Sequence, residues 1–163
     1  MIVRYDPLES DVHFHTFVSA MTRLTTDPAS FNFLSYTLRP LQRETVEMLT
    51  RTYEEHGFEY YVNLNENQDI TAVCGLKRDE FEGFELFVLV VDPQHRKQGI
   101  GQQLVEKSIE IAKDEQYACV NAVVFADNKN MLRLLLKNDF IPIGMSYRKR
   151  ADGADLVHLR RYL

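Results

Sequence analysis

Six residues, RKQGIG from Arg96 to Gly101, have the types and spacing to hold an anion. Two basic side chains precede two glycines, and apolar residues at helical spacing follow: Ile100, Leu104, Ile111 and Ala112. The first turn of a helix carries unpaired N–H groups and a partial positive charge. Glycines let a bulky phosphate come close to those groups. A pyrophosphate suits such a loop. A nucleoside triphosphate suits it less, because no GxxxxGK[ST] sequence occurs. A dinucleotide loop also fits less well: Gln102, Gln103 and Leu104 follow Gly101, so the third glycine of GxGxxG is absent. Taken alone, the glycine pair reads equally as a plain turn.

The surrounding chain must position that loop. The run 84–91 before it is nearly all apolar, as a strand covered on both faces would be. Upstream, Ile2–Tyr5 reads as a short strand, and Asp11 as the cap of a helix that places Phe14, Val18, Met21 and Leu24 on one face. Asp27-Pro28 breaks it. A second helix over 41–56 carries Val46, Leu49 and Tyr53, with Gly57 as its stop. Strands follow at Phe58–Leu64 and 70–76. After the glycine-led helix come a strand at 118–125 and a helix from Asn128 to Lys137 carrying Met131, Leu132, Leu135 and Leu136. A closing hairpin, 140–148 with 154–163, turns at Asp152-Gly153. This order implies an α/β (α+β) fold: a mixed, mostly antiparallel sheet of about six or seven strands with helices on both faces.

The 163 residues suffice for one domain, 1–163, with a real core. No apolar run is long enough to span a bilayer, and the opening MIVRYDPLESD lacks an apolar signal core, so the expected compartment is the cytoplasm. A net charge of −5 argues against nucleic acid or an anionic membrane as the main partner. The basic clusters Arg148–Arg150 and Arg160–Arg161 read as solvated strand ends. Cys74 and Cys119 read as two buried thiols, and the histidines show no metal-ligand spacing.

VVDPQHRKQGIGQQLV resembles motif A of the GNAT superfamily, the N-acetyltransferases that use acetyl-CoA. Arg96, Gly99 and Gly101 meet the pattern [RQ]-x-x-G-x-[GA], and Val91-Asp92-Pro93 meets the V-x-P that often ends the preceding strand. FADNKNMLRLLLKNDF is similar to motif B through Asn128, Leu134 and Phe140. The resemblance implies a GNAT-like sheet whose strands splay at the cofactor site. It implies that backbone amides of Arg96, Lys97, Gln98, Gly99, Ile100 and Gly101 hold the CoA pyrophosphate. It implies that the strand end Leu89, Val90 and Val91 pairs with the pantetheine arm, as an added strand would. Asn128 is implied as a cofactor contact; its reading as a helix cap is compatible.

The implied reaction is direct attack of a primary amine, on a small molecule or a peptide, upon the thioester. A lysine-type amine has a pKa of about 10.4 and an α-amine about 8, so a base must take a proton. Glu85 is the candidate, at a spacing from Arg96 where many family members carry a glutamate. The alternative is a surface carboxylate at a strand end, of the kind Glu80 and Glu82 illustrate. The family's usual acid, a motif B tyrosine, is here Leu135, which cannot protonate a thiolate. That departure keeps a second reading alive: a domain that binds acyl-CoA as a sensor without turnover. The aromatic stretch FNFLSYTLRP is either a wall of the acceptor cleft or a core-packing loop, and a homodimer through the closing strands stays open.

Overall fold

The computed structural model describes residues 1–80 and 83–163. Seven strands form one sheet: β1 (Ile2–Tyr5), β2 (Phe58–Leu64), β3 (Ile70–Asp79), β4 (Gly83–Val91), β5 (Cys119–Phe125), β6 (Ile141–Ser146) and β7 (Leu156–Tyr162). Their spatial order is β1-β2-β3-β4-β5-β7-β6. Among the described residues, only β4 and β5 pair in parallel. A parallel pair needs a crossover, and α3 (Ile100–Asp114) supplies it. The mixed, mostly antiparallel sheet expected from the element order is therefore what forms.

Side-chain alternation along β3 sends Ala72, Cys74 and Leu76 into one core and Val73 into another. The first core packs α3 and α4 (Lys129–Lys137) against the sheet. The second packs α1 (Asp11–Thr26) and α2 (Arg43–Arg51) against the opposite face. The β3–β4 register shifts where Gly75 faces Val88 but Leu76 faces Leu86, which leaves Phe87 as an extra residue on β4. A Cβ on Gly75 would stand 2.6 Å from a Val88 methyl, so the bare backbone there permits the bulge.

Several expectations need correction. Ser10, not Asp11, caps α1; its hydroxyl accepts from the His13 amide at 3.2 Å. The second helix is shorter than 41–56, and Leu49 is exposed. Tyr53 is buried beyond its end, where its hydroxyl donates to Asp6 at 2.7 Å. Leu136 is also exposed. β4 is not covered on both faces throughout: Phe87 is 52% exposed, because β4 has left its neighbour by that point. Cys119 is half-buried, whereas Cys74 is fully enclosed. Arg150 is no solvated strand end but 5% exposed, because Asp127 and Asp152 bind its guanidinium.

Candidate functional site

The β4–β5 ladder holds for three pairs, Phe84–Val120, Glu85–Asn121 and Leu86–Ala122, and then stops. From the bulge at Phe87 onward, β4 still pairs with β3 while its β5 side is open. Strand twist and the extra residue turn β4 away, and a wedge opens between two strands of one sheet.

The loop that closes this wedge is built by short-range bonds. Asp92 accepts from the Gln94 amide at 2.9 Å, which fixes the turn Pro93–His95. Burial works to raise the Asp92 pKa, but that amide and the Arg23 guanidinium outweigh it and hold the carboxyl below its usual range. Lys97 and Gly99 then take left-handed conformations, φ 61° and 82°. Gly99 is the N-cap of α3 and offers no capping side chain. The first amide bonded at this helix start is that of Gln103, which donates to the Gly99 carbonyl at 3.0 Å. Among the described residues, no protein acceptor takes the amides of Gly99 through Gln102. Turns of this kind make concave clusters of N–H groups that suit an anion. A Cβ added at Gly101 would meet Leu134 at 3.4 Å and Val91 at 3.9 Å, both ordinary contacts. Packing thus tolerates a methyl there; what the bare position favours is close approach by a ligand.

The wedge and loop together enclose a cavity of about 550 Å³. Of the residues singled out from sequence, Leu89, Val90, Val91, Arg96, Lys97, Gly99, Ile100, Gly101 and Asn128 line it. Gln98 does not, since its side chain turns back to the Gln94 carbonyl at 3.5 Å. Asn128 caps α4 by accepting from the Met131 amide at 3.2 Å while also facing the cavity, so both of its expected roles are compatible with its position. Glu85 stands one residue before the first lining position, Leu86, within the last ladder pairs and beside Asn121 and Lys77. Phe84 and Leu86 enter the α3–α4 core, so Glu85 points to the α1–α2 face. Glu82 lies outside the described residues.

The Arg96 side chain is engaged within the protein. Its Nε donates to the Val91 carbonyl at 3.0 Å and its Nη2 to the Ser30 hydroxyl at 2.8 Å. It is a strut between the end of β4 and the segment after α1. Leu135 is fully buried in the α3–α4 core and takes no part in the cavity. Tyr147 is 71% exposed and Tyr117 packs tilted against Phe84 with ring centres 5.2 Å apart, and neither lines the wedge. No tyrosine is among the described lining residues. Sequence reasoning missed Ser30 and Arg150. It left Phe33 and Leu34 undecided between cleft and core, and both line the cavity. Among the described residues, no cluster of His, Cys, Asp and Glu is placed to hold a metal ion, and no helix is long and apolar enough to cross a membrane.

A sequence model of the acetyltransferase (GNAT) family matches residues 19–140, a span that contains the whole wedge and loop. The chain belongs to the GNAT acetyltransferase family. No curated relative matches it in sequence. Its fold is that of solved GNAT structures. A GNAT-family acetyltransferase from Streptococcus pneumoniae superposes with a TM-score of 0.78 at 17% identity, covering 100% of this chain and 98% of that one. A phosphinothricin acetyltransferase from Sinorhizobium meliloti, solved in complex with AcCoA, gives 0.77 at 15% identity, covering 100% and 88%. A ribosomal-protein-alanine N-acetyltransferase from Brucella melitensis gives 0.75 at 18% identity, covering 100% and 99%. As a GNAT acetyltransferase the chain uses acetyl-CoA as its donor, and its general reaction is acetyl transfer from that thioester. The cavity suits such a donor: unbonded amides for a diphosphate at one end, an apolar strand gap for a narrow arm at the other.

Proposed function

We propose that residues 1–163 act as one domain that moves an acetyl group from acetyl-CoA to a primary amine by direct attack in a ternary complex. One observation carries the reading: the unbonded amides from Gly99 to Gln102 and the parted β4–β5 strands open into the same cavity. The amides grip the pyrophosphate, and Lys97 adds charge at the rim. The arm lies along Leu89–Val91, which has no β5 partner and whose one occupied group on that side is the Val91 carbonyl, taken by Arg96. The thioester then reaches the fork beside Leu86 and Ala122. A β4 amide of the bulge beside that fork is the candidate donor to the oxygen on which negative charge develops.

Glu85 stands at that fork and takes the amine proton, directly or through water. With Leu135 sealed in the core, the leaving thiolate departs without a phenolic acid. A thiol of pKa about 8.5 is a fair leaving group unaided. The same leucine favours a second reading, a GNAT domain that binds acetyl-CoA and does not turn it over. Calorimetry with acetyl-CoA, followed by amine-dependent thiol release, separates the two. Binding with release supports transfer, binding without release across an amine panel supports the sensor, and no heat from any CoA species sinks both.

A further inference from the structure

The segment between α1 and α2 reaches the cavity and is tied to the glycine loop through Ser30. Phe33 and Leu34 line the cavity there, together with Phe87, Val88 and Val90 of β4. Phe31 to Phe33 form a single turn in which no residue is buried, so these aromatics are not core packing. Their orientation is fixed by bonds from distant parts of the chain. Ser30 accepts from Arg96 at 2.8 Å. The Asn32 carbonyl accepts from Arg150 Nη1 at 2.8 Å, and the Tyr36 carbonyl accepts from the Ala151 amide at 2.8 Å. Arg150 is itself held by Asp127 at 2.5 Å and Asp152 at 2.9 Å and lies 4.9 Å from the Phe125 ring centre. The wall is thus set before any acceptor arrives.

The charge of the lining is one-sided. The described residues around the cavity include Arg96, Lys97 and Lys137 but no aspartate or glutamate. A substrate with several ammonium groups would meet no lining carboxylate to balance them. Glu85, one residue outside the lining, serves a single amine.

Resting on the acetyl-transfer reading above, we infer that the acceptor is a monoamine whose amino group adjoins an apolar group, and that this group packs on Phe33, Leu34 and Phe87. Arg150 is the positioning residue for that wall. It touches no substrate; it acts through the Asn32 carbonyl.

The test is thiol release from acetyl-CoA with three amines at equal concentration: 2-phenylethylamine, ethanolamine and spermidine. The expected result is a kcat/KM for 2-phenylethylamine at least about tenfold above the other two, the discrimination one apolar pocket can supply. The double substitution Phe33→Ala with Leu34→Ala then raises the KM for 2-phenylethylamine by about tenfold and leaves the acetyl-CoA Kd unchanged. Arg150→Gln moves the same KM in the same direction with little change in kcat. Should that variant fail to fold, Asp152→Asn, at an exposed carboxylate, carries the same test. Preference for spermidine or ethanolamine, equal use of all three, reaction with none despite acetyl-CoA binding, or an unchanged KM in the double variant each overturns the inference. Failure to bind acetyl-CoA is a different result, which removes the transfer reading as well.

Discussion

Two parts of the cavity are made from different material. At the glycine loop the functional groups are main-chain amides, arranged by a short stretch whose bonds run from Asp92 to Gln103. Along the segment after α1 they are side chains, held in place by Arg96 of that loop and by Arg150, both far in sequence from the segment they hold. A backbone site depends on local conformation, so a few residues specify it. A side-chain wall depends on which distant elements meet, so no single stretch announces it.

The sharpest break in this contrast comes where the two parts join. Glu85→Gln removes the proposed base at the fork, and kcat should fall about a hundredfold or more while the acetyl-CoA Kd holds, as titration calorimetry beside steady-state kinetics would show. Equal losses in both would remove Glu85 from the role of base.

Next is Gly101→Ala. A methyl there fits the protein but crowds the amides, so acetyl-CoA affinity should drop at least about tenfold, the loss of one or two charge-assisted hydrogen bonds. The thermal midpoint should stay put; a fall in midpoint without a fall in affinity would make Gly101 a packing residue.

Leu135→Tyr tests the missing acid. The site is closed and apolar, so the larger ring should cost about 1–3 kcal/mol of stability in urea unfolding, with no gain in turnover. A faster enzyme would mean that position 135 reaches the thiolate after all.

Acid should act more gently. Asp6, bonded by Tyr53, Asp92, bonded by Gln94 and Arg23, and Asp152, bonded by Arg150, all have pKa values below normal. Groups depressed on folding add stability that is full above the unfolded carboxylate pKa of about 3.9 and is lost as pH falls through the folded values. Stability should therefore be flat from neutral to about pH 5 and decline below about pH 4. Asp92→Asn should soften that decline, as equilibrium unfolding across pH would reveal.

The smallest effect is chemical. Burial pushes the Cys74 thiol well up, while Cys119 is half-buried, so iodoacetamide should add one label to the folded protein, at Cys119. Two labels under native conditions would contradict the closed core behind β3.

Much of the fold was legible because period and punctuation agree. The glycine-led helix, the Asn128 cap and the closing hairpin follow from spacing over a few residues. The opening of the wedge was not legible. FELFVLVV has the composition of a covered strand, and nothing within it says that the ladder to β5 ends at Leu86. The resemblance to a family supplied the splay. Arg150 was misread because RKR beside a turn resembles a solvated end. Only the fold brings Asp127 and the Asn32 carbonyl to it. Ser10 and Asp11 are both good capping residues, and the pattern of buried phenylalanines does not choose between neighbours.

One guanidinium grips both the last carbonyl of β4 and a hydroxyl beyond α1. Donor and recipient therefore share a mechanical joint. Any free energy that filling one pocket spends on tightening this joint is returned, in equal measure, to occupancy of the other.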